Sequence, residues 1–211
     1  MLLSIAHIIR SKKIILASGS PRRKEILSNA GLKVDIIPSK FEENLDKTTY
    51  KDTFEYAIDT SYHKGLEVVD RMINEGKEFD LVIAADTIVT MNDKIFEKPR
   101  SMEDAVEMLK GFRGLSHVVY TGVTLIFNEG GKRNIERFHC GTQVKFSNVD
   151  LKTIEAYVST GESMDKAGGY GIQALGGSLV EEIKGDYFNV MGLPLNSLFK
   201  RIYDHYQANS D

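Results

Sequence analysis

Leu81-Val82-Ile83-Ala84-Ala85 is an uninterrupted apolar run of strand length, and it leads directly into Asp86-Thr87. A strand with one wet face alternates apolar and polar residues. A run without polar residues reads as a central strand covered on both faces. Covering both faces takes helices on either side, so this stretch points to the α/β class. It also places a carboxylate, Asp86, at the expected C-terminal end of the strand, where open α/β sheets gather their ligands.

Upstream, Ile14-Ile15-Leu16-Ala17 reads as a second buried strand running into a helix, with Ser20 at the N-cap and Pro21 at the first helical position. That helix is expected to bury Ile26, Leu27 and Ala30 and to stop at Gly31. Val34 to Ile37 reads as a further strand. A long helix is expected from about Asp52 to Asn74, with Ile58, Leu66, Val69 and Ile73 as its apolar residues. Downstream, Ser101-Met102-Glu103-Asp104 resembles a capping box ahead of a helix with Ala105, Leu109 and Phe112 on one face. Val118 to Phe127 and Thr142 to Phe146 read as strands joined through Asn128-Glu129-Gly130-Gly131, which makes the sheet mixed. Two helices follow. One runs from about Asp150 to Ser159 and buries Leu151, Ile154 and Val158; the other starts at Pro194 and buries Leu195, Leu198, Ile202 and Tyr206.

The 211 residues, 42% of them hydrophobic, suffice for one sizeable core. No linker, repeat or low-complexity tract marks a boundary, so a single domain over residues 1–211 is expected. A net charge of -3 argues against a surface built for nucleic acid, and any anion binding must be local. The single cysteine, Cys140, has no partner for an intrachain disulfide, which suits a reducing, cytoplasmic setting. Met1 to Ile9 is apolar but shorter than a membrane span. It reads as a docked N-terminal segment, and no membrane partner is expected.

Several features could carry chemistry. In Ser18-Gly19-Ser20-Pro21-Arg22-Arg23-Lys24, three consecutive cations in a helix's first turn oppose the helix dipole. A bound polyanion explains that choice, because helix N–H groups, two guanidinium forks and two hydroxyls then converge on phosphate. A solvated basic turn in which Ser20 merely caps the helix is the competing reading. Asp86 could hold a metal or activate water, or simply cap a loop. Glu42-Glu43 add carboxylates of the sort Mg²⁺ accepts one or two at a time, although paired loop glutamates also serve as plain surface charge. Lys64 and Lys98 could each bring an ammonium to phosphate, with no specificity of their own. Asp165-Lys166-Ala167-Gly168-Gly169-Tyr170-Gly171-Ile172-Gln173, followed by Gly176-Gly177, is dense enough in glycine for close approach of backbone to a ligand. Its Gly169-x-Gly171-x-x-Ala174 is no dinucleotide fingerprint, because a polar segment precedes it where a buried strand is required.

Together, Ala17-Ser18-Gly19-Ser20-Pro21-Arg22-Arg23, Ala85-Asp86-Thr87, Glu97-Lys98-Pro99, the 165–173 segment and Gly185-Asp186-Tyr187 with Asn189-Val190-Met191-Gly192-Leu193-Pro194 resemble the Maf family, in order and over nearly the whole chain. The chain is also similar to the Maf domain that stands beside a methyltransferase-like domain in some animal proteins. The resemblance implies a mixed, twisted sheet flanked by helices, with two lobes around a cleft, related to the inosine-triphosphate pyrophosphatase fold. It implies metal-dependent hydrolysis of a nucleoside triphosphate to the monophosphate and pyrophosphate, with Mg²⁺ or Mn²⁺, in nucleotide-pool housecleaning. Carried over residue by residue, Asp86 is the general base. Ser18, Arg22, Arg23, Lys64 and Lys98 bind phosphate, and Glu42 with Asp86 attends the metal. Arg22, Thr87 and Gln173 match the branch acting on dTTP and UTP, and a Gln173 amide can offer a donor and an acceptor to an imide edge. Homodimers are common among such proteins. Two departures stand out: Ser163 replaces the usual proline, and Thr60-Ser61 with Gly65 replace the commoner Leu-Ala and Ala around Lys64. The alternatives are the same chemistry on 7-methyl-GTP or ITP, and a non-catalytic nucleotide-binding regulator of cell division.

Overall fold

The 81–85 run lies at the heart of a seven-stranded mixed sheet. A computed structural model describes residues 3–208; Met1 and Leu2 of the apolar opening lie outside the described residues. The strands are β1 (Ile14–Leu16), β2 (Asp35–Ile36), β3 (Leu81–Met91), β4 (Lys94–Phe96), β5 (Ser116–Glu129), β6 (Lys132–Phe146) and β7 (Val180–Lys184). They are ordered β2-β1-β3-β5-β6-β7, with β4 also on β3. β1 is parallel to β2 and β3, and the other pairings are antiparallel. Helices α1 (Ala6–Ile9), α2 (Pro21–Asn29), α3 (Thr53–Asn74), α4 (Met102–Phe112), α5 (Leu151–Ser159), α6 (Tyr187–Met191) and α7 (Leu195–Ala208) flank the sheet. The expected α/β class with a mixed sheet is what forms.

One expectation about β3 needs correction. Asp86 does not end the strand: β3 continues to Met91, and Asp86 pairs with Gly122 in the middle of the ladder to β5. The β-branched Thr87, Ile88, Val89 and Thr90 keep the chain extended beyond the apolar run. What stops near Asp86 is the pairing on the other edge. β1 pairs with Leu81 to Ile83 and β4 with Val89 to Met91. Between them the edge of β3 is open, and that gap places Asp86 at a cleft.

α3 corrects a second expectation. Of the four apolar residues expected on its inner face, Ile58, Leu66, Val69 and Ile73, only Val69 is fully buried, and Ile73 is 51% exposed. The face against the sheet is made of Ala57, Thr60, Ser61, Gly65, Val68, Val69 and Met72 together with Tyr56. The cause is close approach. A Cβ on Gly122 of β5 would lie 2.3 Å from the Ala57 carbonyl carbon, and one on Gly65 would lie 3.1 Å from Ile126 Cδ1. Small residues are what this distance admits. Ser61 Oγ, buried there, bonds the Ile58 carbonyl at 2.7 Å and Thr124 Oγ1 at 2.8 Å, so its burial leaves no unmet hydroxyl. The Ser61 departure is therefore matched to Thr124, and the Gly65 departure to Ile126 and Ala84, across the interface.

The core falls into parts on either side of the gap. On one sheet face, Leu16, Ile83, Ala85 and Leu125 pack with Ile26 and Leu27 of α2 and Leu198, Ile202 and Tyr206 of α7. On the opposite face, Val82, Ala84 and Ile126 meet Val68, Val69 and Met72 of α3. Beyond the gap, Val89, Val119 and Phe146 pack with Leu109 and Phe112 of α4 and Ile154 and Val158 of α5. Each fully buried Leu, Ile or Phe contributes about 1.5–3 kcal/mol from removal of apolar surface. Leu151, expected inside, is 41% exposed because it is the first residue of α5, directly after the Asp150 cap, and the helix docks through Ile154, Tyr157 and Val158.

Candidate active site

The open edge of β3 forms the floor of a cleft of about 660 Å³ between the two core regions. Alternation along the strand sends Asp86 toward α3 and Thr87 toward the opposite sheet face, so the two residues serve different parts of the site.

One wall is the loop after β1 and the first turn of α2. Ser20 occupies the N-cap but makes no side-chain bond to that turn. Arg23 is buried and pins three segments together. Its Nε donates to the Gly192 carbonyl at 2.8 Å, Nη1 to Ser18 Oγ at 3.0 Å and Nη2 to Thr87 Oγ1 at 3.0 Å. Burial lowers its proton affinity, partly offset by the Asp86 carboxylate. Ser18 Oγ accepts from Arg23 and from the Ser20 amide at 3.3 Å, which leaves its own hydrogen to donate elsewhere. Thr87 Oγ1 also meets Thr121 Oγ1 at 3.0 Å, and Thr121 donates to the Asn189 carbonyl at 3.1 Å. Thr87 lines the cleft with a hydroxyl already engaged by the scaffold.

On the α3 side, Lys64 Nζ stands 2.7 Å from Asp86 Oδ1 and 2.7 Å from Glu43 Oε1. Asp86 is only 7% exposed. Burial raises its pKa above the usual carboxylate range; the Lys64 ammonium opposes that rise and the Glu43 charge adds to it. A buried carboxylate with raised proton affinity, lining a cleft and held by a lysine, is suited to taking a proton from water.

The far wall carries Arg22's partner. Arg22 Nη1 pairs with Asp165 Oδ2 at 3.0 Å across the cleft. Burial raises the Asp165 pKa, but hydrogen bonding to Lys166 and the Arg22 charge outweigh it and hold the group low. Lys98 is exposed at the rim and Gln173 exposed at the tip of the glycine-rich segment; both line the cleft. Glu97, between Lys47 Nζ at 2.7 Å and the Tyr56 hydroxyl at 3.0 Å, lines it too.

Of the residues singled out from sequence, Ser18, Arg22, Arg23, Lys64, Asp86, Thr87, Lys98 and Gln173 all line this one cleft. Glu42 does not: it is exposed away from it, and its neighbour Glu43 reaches Lys64 instead. Phe41 stacks on His63 of α3 at 5.1 Å and docks the segment beside Lys64. No local signal separates the two glutamates: both stand in a loop, and the docking of that loop sets which one faces Lys64. Asp165 and Glu97 were also missed as site residues, since their roles depend on partners 143 and 41 residues away.

Asp86 and Glu43, both within 2.7 Å of one ammonium, can also face a hard cation. Among the described residues no group of three or more potential ligands occurs. That donor set fits Mg²⁺ or Mn²⁺ bound by one or two carboxylates and completed by water and phosphate oxygens, rather than an all-protein cage.

Residues 13–205 match a family model described as Maf-like protein. A human protein named probable bifunctional dTTP/UTP pyrophosphatase/methyltransferase protein is 46% identical over 200 residues, covering 92% of this chain. The chain spans 32% of that relative's length. A dTTP/UTP pyrophosphatase of Clostridium perfringens is 46% identical over 194 residues, 92% of this chain and 97% of its own. One of the same name from Thermosipho africanus is 44% identical over 192 residues, 91% of this chain and 93% of its own.

Proposed function

The chain belongs to the Maf family, and on that premise we propose that it is a nucleoside-triphosphate pyrophosphatase acting on dTTP, UTP and related pyrimidine nucleotides. Water attacks phosphorus, the anhydride between the α- and β-phosphates breaks, and nucleoside monophosphate and pyrophosphate leave. The observation that carries this reading is the Lys64–Asp86–Glu43 cluster, with its two 2.7 Å contacts, in one cleft with the basic first turn of α2.

Asp86 accepts the proton that water gives up. Lys64 opposes the rise in Asp86 proton affinity that burial causes, and turns toward phosphate as substrate enters. Ser18 donates its hydrogen to a phosphate oxygen. The Arg22 fork leaves Asp165 for the polyphosphate, which carries more charge than one carboxylate. Arg23, spent on Gly192, Ser18 and Thr87, acts chiefly by holding this wall in place. Lys98 reaches the distal phosphates from the rim. Asp86 and Glu43 would hold a divalent cation, which would neutralise phosphate charge. Positioning and electrostatics therefore supply most of the rate. Gln173 offers its amide to the imide edge of uracil or thymine. A cytoplasmic setting, homodimerisation and the absence of a nucleic-acid partner belong to the same proposal; the single Cys140 and the net charge of -3 support the first and the last. No helix among the described residues is long and apolar enough to cross a membrane.

Pyrophosphate release from dTTP, UTP, CTP, 7-methyl-GTP and ITP with Mg²⁺ or Mn²⁺ tests the reading. We expect dTTP or UTP to be preferred and Asp86→Ala to lose activity by about 10²–10⁴-fold, as for other acid–base groups. Nucleotide binding without turnover would support the regulator instead, and turnover indifferent to Asp86 would remove the proposed base.

A further inference from the structure

The segment carrying Gln173 is a closed loop. A Cβ on Gly176 would lie 2.6 Å from the Gly171 carbonyl oxygen, and one on Gly177 would lie 2.5 Å from the Ile172 carbonyl oxygen, so the two ends of the loop touch. Its base is held from the α5 side by two side chains. The Tyr157 hydroxyl accepts the Gly171 N–H at 3.2 Å and donates to Glu162 Oε1 at 3.2 Å. The same Oε1 accepts the Gly176 N–H at 3.1 Å, and Oε2 accepts the Leu175 N–H at 3.2 Å. One carboxylate thus ties both ends of the loop, one directly and one through Tyr157. Gln173, Ala174 and Leu175 between them are exposed, while Ile172 packs on the core of the opposite wall. Glu162 does not line the cleft. Its bonds reach substrate only through the loop.

We infer that Glu162 is the positioning residue for base recognition: it holds the 171–176 loop so that Gln173 presents its amide at a set place relative to the phosphate-binding wall. The inference rests on the pyrimidine reading proposed above and deepens it. An ionised carboxylate only accepts, which is what two backbone N–H groups and a phenol require. Glu162→Gln keeps the shape but sets an NH₂ group against an N–H donor. The loop then loosens while Ser18, Arg22, Lys64 and Asp86, none of which contacts Glu162, keep their geometry.

Steady-state kinetics with dTTP and ITP, on the folded full chain, test this. Glu162→Gln should raise KM for dTTP by about tenfold with kcat within about threefold, and cut the preference for dTTP over ITP by a similar factor. Inhibition by inorganic pyrophosphate should be unchanged. Because Glu162 acts through Gln173, the double variant Glu162→Gln, Gln173→Ala should be no worse than Gln173→Ala alone. Effects that multiply in the double variant, or a fall in kcat with KM unmoved, would overturn the inference. A wild-type protein that does not distinguish dTTP from ITP would instead sink the pyrimidine reading. The latch is then judged by amide exchange at Leu175 and Gly176, which must quicken in Glu162→Gln or the inference fails.

Discussion

Gly122→Ala probes the link between packing and chemistry most directly. Gly122 stands opposite Asp86 in the β3–β5 ladder, under α3. An added Cβ would lie 2.3 Å from the Ala57 carbonyl carbon and 2.4 Å from Ile58 N, whereas ordinary contact begins near 3.4 Å. The neighbours are backbone, so no rotamer change relieves the clash, and α3 must withdraw by about 1 Å. Lys64 lies two turns along the same helix from Ala57. The withdrawal stretches its 2.7 Å contact with Asp86 beyond hydrogen-bond range. Overpacking of this kind costs up to about 3 kcal/mol. For a chain of this length that lowers the thermal midpoint by about 6–12 °C. A displacement of about 1 Å at the site costs on the order of 10²-fold in turnover. The assay is thermal unfolding followed by circular dichroism, with pyrophosphate release measured where the variant is still folded. Gly65→Ala is the control. Its nearest neighbours are Ile126 Cδ1 at 3.1 Å, a side-chain tip that can turn, and Ala84 Cβ at 3.3 Å, close to ordinary contact; the helix gains about 1 kcal/mol from alanine, so its midpoint should stay within about 4 °C of wild type. A Gly122→Ala protein with wild-type midpoint and turnover, or a Gly65→Ala protein that fares worse, would refute the reasoning.

Two further outcomes follow from buried titrating groups. Burial lowers the His117 imidazole to about 4 from its ordinary 6.5, so as pH falls the unfolded chain takes up the proton first. The associated stability is complete above pH 6.5 and lost toward pH 4, about 3 kcal/mol in all. Urea unfolding at about pH 7 and 4.5 should show a pH dependence that His117→Phe reduces by about 2 kcal/mol; equal dependence in both proteins would exclude His117 as the cause. Lys64→Met removes the cation that opposes the upward shift of Asp86. The acid limb of kcat/KM should therefore move to higher pH as well as falling in height, and an unmoved limb would count against Asp86 as the titrating base.

Much of this was legible along the chain. The helix from Met102 to Phe112 showed itself through Ser101, whose hydroxyl accepts the Asp104 amide at 3.2 Å, and through the spacing of Ala105, Leu109 and Phe112. The hairpin showed itself in Gly130 and Gly131, both at positive φ. α3 misled because periodicity finds the apolar stripe, whereas a helix pressed close onto a sheet presents its smallest residues there. Glu43 was passed over for Glu42 because two adjacent loop carboxylates differ only in what the docked Phe41 makes them face.

By itself the sequence determined what local rules govern: an α/β chain, its caps and turns, and the ordered motifs that mark its family. Those features depend on residues within a few positions of one another. Only the tertiary structure decided that Asp86 is buried beside Lys64, that Arg22 pairs with Asp165 across the cleft, and that Glu162 ties the loop bearing Gln173. Each is set by which side chains the sheet order and the closeness of α3 bring together. A carboxylate's proton affinity follows from that company and from the loss of water, neither of which its place in the chain specifies.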